Sequence, residues 1–140
     1  MMTVKTMSVE RREKAGASTG LDQRRAKYAW ECVQNCKSDY VNLAKSAPAL
    51  VMSNGLMQTL AFYKAKDKAH HRALCEHICG WLHQRYSGKI QGADFASVMG
   101  GLYGDSEPRF YREASEEVLA LLRWIRQFAA AVNQAKRGDE

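Results

Sequence analysis

The residues best equipped for chemistry are four cysteines, which fall into two pairs. Cys32 and Cys36, and Cys75 and Cys79, are each four apart. On two facing helices their thiolates could hold zinc or close two disulfides. The pairs lie far apart in the chain, however, and Cys79 falls off the apolar centre of its helix. Buried reduced cysteine, packing as a small hydrophobe, reads the pattern better. His70, His71, His77 and His83 share one segment. Wound at ~100° per residue they point four ways, and no two have the i, i+4 spacing that grips one metal. His71 and Cys75 do have it, but both lie on the buried stripe. No metal and no cofactor is expected. Glu116 and Glu117 diverge by about 100° on a helix and cannot work as an acid–base pair. Gly100-Gly101 lacks the preceding strand of a nucleotide fingerprint. No phosphate-cradling loop, nucleophile elbow or two-histidine metal helix occurs. The chain is not expected to be an enzyme.

Binding chemistry is the stronger signal. Arg109, Arg112, Arg123 and Arg126 gather in a sector roughly 100° wide on the last helix, apart from its apolar face. Arginine suits phosphate, because its planar guanidinium bonds bidentately and stays charged. An ordinary solvated face, with Glu113 and Glu116 pairing the arginines, reads the same residues equally well. Arg24, Arg25 and Lys27 form a second patch at the start of the first helix. Cations disfavour the positive end of a helix dipole, so this placement hints at function. Arg25 lies nearer the apolar stripe and could instead brace a neighbouring helix. Lys64 and Lys66, with Lys68, cluster where cations suit a helix C-terminus, so structure alone accounts for them.

These side chains sit on a chain of 140 residues with net charge +6, the length of one domain with one core. Residues 1–20 hold four Lys/Arg against two Glu, leaving 17 against 13 for the rest. The folded part is therefore mildly basic, which favours an anionic partner. Residues 1–20 read as a disordered tail with no apolar core of a secretory signal. The domain is expected over 21–137, with 138–140 frayed. With no signal or membrane span read in the sequence, a cytoplasmic setting and reduced thiols are expected.

Only two prolines occur and no strand-like alternation is present. The pattern predicts a first helix from Asp22 to about Lys45, with Ala26, Ala29, Cys32, Val33, Cys36, Tyr40, Leu43 and Ala44 as its stripe. Pro48 suits the first turn of a new helix. A break at Ser53-Asn54-Gly55 then separates a short helix near 48–53 from one over about 55–66. Further helices are expected from after Asp67 to about Tyr86, over about 93–102, and from Ser106-Glu107-Pro108 to about Ala135. Gly100-Gly101-Leu102-Tyr103-Gly104 reads as a joint between the last two. The fold class is all-α: a compact single-domain bundle of about five to six helices.

The stretch Ser46–Tyr63 carries no charge in a chain where 26% of residues do. Its apolar side chains fall all round the axis, so it is expected to be the enclosed, charge-free central helix. Within it, Ser53-Asn54-Gly55-Leu56-Met57-Gln58-Thr59-Leu60-Ala61-Phe62 resembles the small all-helical subunit of the type III-B CRISPR effector, the Cmr ribonucleoprotein. Leu21-Asp22-Gln23-Arg24-Arg25-Ala26-Lys27-Tyr28-Ala29 resembles that family's first helix, and Ala120-Leu121-Leu122-Arg123-Trp124-Ile125-Arg126-Gln127-Phe128-Ala129 its last. Residues 67 to 112 match poorly.

The resemblance implies a non-catalytic subunit, stacked head to tail in several copies beside other subunits of the effector, along guide RNA and target RNA in antiviral defence. Cleavage would belong to a different subunit. A subunit lying on arbitrary sequences should read phosphate and shape, so Arg24, Arg25, Lys27, Lys64, Lys66, Arg109, Arg112, Arg123 and Arg126 become the candidate RNA contacts. Head-to-tail stacking needs two different complementary patches. Tyr28, Trp30 and Trp124, aromatics off the main stripes, are candidates for them. Two other readings stand: a protein-interaction adaptor without RNA contact, and a helical Cys/His metal-binding protein.

Overall fold

A computed structural model describes residues 20–138. Among the described residues there are six helices: α1 (20–32), α2 (Ser38–Asn54), α3 (Leu56–Lys66), α4 (Ala69–Arg85), α5 (Phe95–Gly104) and α6 (Pro108–Gly138). No strand occurs among the described residues, and the all-α class holds. The expected disorder of residues 1–19 and fraying of 139–140 lie outside the described residues. Gly20 already belongs to α1, and Gly138 is the last residue of α6.

The long α6 is the organising element. Ala114, Val118, Leu121, Leu122, Ile125, Ala129 and Val132 are buried along it, which is the stripe its periodicity predicts. α2 lies along it through Val41, Ala44, Ala47 and Val51, and α4 contributes Leu74, Ile78, Trp81 and Leu82. Gly80 lets α1 approach α4, since a Cβ there would come within 2.7 Å of the Tyr28 hydroxyl.

Two helix boundaries differ from expectation. The first helix does not run to Lys45. It ends at residue 32, and the chain turns before α2 begins at Ser38. The Cys36 amide donates to the Val33 carbonyl, and the next residue, Lys37, is extended. The Lys136 ammonium from α6 donates to the Gln34 carbonyl at 2.6 Å, and Asp39 sits favourably in the first turn of α2. Pro48 correspondingly lies inside α2, on a half-buried face, rather than opening a helix.

The break at Gly55 falls where the sequence places it. Gly55 has φ 89°, and its amide donates to the Val51 carbonyl. Thr59 returns its hydroxyl to the Gly55 carbonyl, and the Tyr111 hydroxyl of α6 accepts from the Met57 amide, capping α3. A Cβ at Gly55 would meet that hydroxyl at 3.2 Å. Gly55→Ala is therefore expected to lose about 1–2 kcal/mol through the strained φ. Thermal denaturation should show it, and an unchanged midpoint would mean that the turn relaxes freely.

The uncharged run is not an enclosed rod. The turn at Gly55 splits it into the end of α2 and α3, each with one inner face. Leu56, Leu60 and Tyr63 are buried, but Met52 is 76% and Phe62 47% exposed. Lack of charge suggests enclosure, whereas neutral and apolar side chains here also cover an outer surface. Gly100-Gly101 is likewise not a joint. Both lie within α5, whose start is capped by the Asp94 carboxylate accepting from the Ser97 amide. A Cβ on Gly101 would come within 2.7 Å of the Ile90 side chain and 2.8 Å of the Lys89 carbonyl. This glycine permits close packing of the α4–α5 connection.

Candidate nucleic-acid interface

Eight of the nine candidate cations are exposed: Arg24, Lys27, Lys64, Lys66, Arg109, Arg112, Arg123 and Arg126. Ion pairs among the described residues involve Arg25, Arg72, Arg85 and Lys89 instead. The ninth candidate, Arg25, is committed inward. Its guanidinium donates through Nε and Nη2 to both carboxylate oxygens of Glu117, and through Nη1 to Asp22. Trp81 Nε1 and Arg85 Nε also donate to Glu117, at 3.2 and 3.1 Å. Glu117, only 5% exposed, thus joins α1, α4 and α6. Burial would raise its pKa, but the bonds from Arg25 and Trp81 and the charge of Arg85 outweigh that and hold it below the ordinary carboxylate value. Arg25 is a brace, and it leaves the set of RNA candidates.

The remaining cations fall into two grooves and two separate clusters. Between α1 and α4, Arg24 and Lys27 line a shallow groove of about 250 Å³ with Tyr28, Glu31, Trp81 and Gln84. Between α2 and α6, Arg123 and Arg126 line another of about 300 Å³ with Pro48, Met52, Leu119 and Gln127, and no acidic side chain lines it. At the start of α1, Asp22 accepts from Trp124 Nε1 at 3.0 Å, and that bond, with Arg25 and the nearby Arg123, holds its pKa down. Lys64 and Lys66 project from the last turn of α3, where Lys66 lies over the Phe62 ring. Arg109 and Arg112 occupy the opening turns of α6.

Of the three interface aromatics, two are used inside the bundle. Tyr28 donates its hydroxyl to the His77 carbonyl and packs 5.1 Å from Trp81. Trp124 bonds Asp22 and packs at a tilt against Phe128, which meets Trp30 edge-on at 5.3 Å. A broad α1–α6 contact accounts for Trp124 and the α1–α4 crossing for Tyr28. Trp30 remains 47% exposed.

The cysteines are free thiols. Burial lifts Cys32 to about 11 and also raises Cys36, which favours the protonated thiol at neutral pH. Cys79 is 2% exposed, more buried than its position on the wheel suggests. Its hydrogen bond with Cys75 is the main cause of its raised pKa. Among the described residues no three His, Cys, Asp or Glu side chains cluster as a metal site would need, and no helix is long and apolar enough to cross a membrane.

His77, one of four histidines whose directions diverge on the wheel, has a specific partner. Tyr40 Oη lies 2.8 Å from its Nδ1. Burial lowers the His77 pKa, slightly opposed by Glu76; burial and nearby cations lower that of His71. A depressed histidine contributes stability above its unfolded pKa of about 6.5, and that stability is lost as pH falls through the folded value. Melting temperature should therefore decline between pH 7.5 and 5.5, and decline less in His77→Gln. Parallel slopes for the two proteins would remove His77 as the source.

Fold and surface together define a small all-helical protein with exposed cations along two of its grooves. Residues 21–132 match the family model of the CRISPR-associated protein Cas_Cmr5. A relative from Thermus thermophilus, described as CRISPR system Cmr subunit Cmr5, is 30% identical over 106 residues, covering 69% of this chain and 76% of the relative. The chain belongs to the Cas_Cmr5 family. The match runs through residues 67 to 112, where the resemblance read from the sequence is poor.

Proposed function

We propose that this protein is a non-catalytic subunit of a type III-B CRISPR effector, working in the cytoplasm in antiviral defence. Several copies stack beside other subunits and hold the backbone of guide or target RNA. Family membership supports the assignment to the complex. The observation that carries the RNA reading is that Arg24, Lys27, Arg123 and Arg126 are exposed and take part in no ion pair among the described residues. Cations left unneutralised on a helical surface are what a phosphate strand of any sequence requires. Trp30 on α1 and Phe62 on α3 supply exposed apolar surface on two different helices, as a head-to-tail contact needs.

With two to four phosphate contacts per copy, one copy binds weakly, and stacked copies gain through effective concentration. RNA retention by the complex should therefore fall as salt rises, with log affinity dropping by about 1.5–3.5 per decade of salt attributable to each copy. Filter binding of complexes with and without this subunit measures that difference. An identical salt slope in both would favour the adaptor reading.

A further inference from the structure

Backbone contact does not account for the floor of the α2–α6 groove. Met52 is 76% exposed, the most exposed large apolar side chain among the described residues. It stands one turn beyond Pro48 on α2, facing Leu119, Arg123, Arg126 and Gln127 of α6. A phosphate site would need only the arginines. An apolar floor flanked by two cations, with Gln127 as a donor and acceptor and no carboxylate on the rim, has the chemistry of a nucleotide rather than of a phosphate alone.

We infer that this groove is a subsite for one unpaired nucleotide of single-stranded RNA, its base resting on Met52, Pro48 and Leu119 while Arg123 and Arg126 hold the adjoining phosphates. The inference rests on the RNA reading above and deepens it. Three features favour this occupant. The charge is complementary: both ionic residues lining the groove are arginines. The groove, at about 300 Å³, admits a nucleobase. Methionine is flexible and polarisable and packs against aromatic faces of different shapes, so the site tolerates any base. An A-form duplex keeps its bases stacked inside and offers none to such a floor.

The test is fluorescence anisotropy of the full chain with a labelled 12-nucleotide RNA, the same RNA with abasic residues, and a duplex. Intact single strand should bind roughly threefold to tenfold more tightly than abasic RNA. Met52→Ala should weaken intact RNA to about the abasic level and leave abasic RNA unchanged. 4-Thiouridine crosslinks should map to Met52 or its neighbours. Abasic RNA or duplex binding as tightly as intact single strand, with Met52→Ala silent and Arg123→Glu/Arg126→Glu strongly impaired, would overturn the base subsite and leave the backbone reading standing. Loss of partner-subunit binding in Met52→Ala with RNA affinity intact would assign the groove to a protein and overturn the inference. If the double arginine reversal also leaves RNA binding unchanged, the RNA reading itself fails, and the subsite with it.

Discussion

A chain carrying Arg24→Glu, Lys27→Glu, Arg123→Glu and Arg126→Glu is expected to assemble and melt normally, yet to reduce RNA retention more than tenfold at moderate salt. Each reversal removes an attractive charge and adds a repulsive one, and every phosphate released from the protein also flattens the salt slope by about 0.7–0.9. The wild-type and variant curves should therefore converge at high salt. Normal folding is expected because all four residues are exposed and stand outside the ion pairs. The one foreseeable disturbance is at Asp22, which loses the nearby charge of Arg123 but keeps its bonds to Trp124 and Arg25. Arg25→Glu is the informative control. It should damage stability, because Arg25 faces Glu117, and should not reproduce the selective loss of salt-dependent binding. RNA retention unchanged in folded, assembled variants would mean that the positive surface serves another purpose, and the protein would then be an adaptor.

The contrast between Arg24 and Arg25 shows where sequence reasoning reaches and where it stops. Helical periodicity separates the faces of α1 and places Arg25 nearer the stripe, but its partner lies 92 residues away. No local pattern can pair the two, although Glu117, three residues after Ala114 and four before Leu121, borders the apolar stripe of α6. The apolar stripe of α6 and the stop at Gly55 are legible because each depends on local geometry. The turn at 33–37 is not, because the apolar spacing continues across it: Val33 and Tyr40 are both buried, and Cys36 reaches the Ala129 carbonyl. Periodicity records which side faces the core and is blind to a change of helix direction that keeps that side inward. Ser38-Asp39, a reasonable helix start, is the signal available. The exposed cations of the two grooves are legible from residue type and wheel position. The apolar floor beside Arg123 is not, because Met52 belongs to a run whose lack of charge suggests enclosure.

Glu117→Gln is expected to be the most destabilising conservative change in this protein. It keeps the volume and still offers an oxygen to Trp81 Nε1, but leaves Arg25 and Arg85 facing a neutral group. Removing one partner of a buried pair strands charge and commonly costs about 3–5 kcal/mol. Arg25 and Arg85 retain 17% and 34% side-chain exposure and can partly turn to water. The expected loss is therefore smaller, roughly 2–3 kcal/mol, or a fall in melting temperature of about 10 °C. Linkage supplies a second signature. The folded pKa of Glu117 is depressed, so its contribution is present above the unfolded value of about 4.3 and is lost as pH falls through the folded value. Wild type should lose stability across that acid window, and Glu117→Gln should lose less, so the two melting curves approach each other as pH falls below about 4.3. Replacing both members, Glu117→Met with Arg25→Met, removes the stranded Arg25 guanidinium but leaves Trp81 Nε1 and Arg85 without their acceptor, so it should cost about as much as Glu117→Gln alone. A Glu117→Gln protein within about 0.5 kcal/mol of wild type at neutral pH would show that α1, α4 and α6 are held by their apolar contacts alone. Arg25 would then be free to turn outward and join Arg24 and Lys27 on the groove.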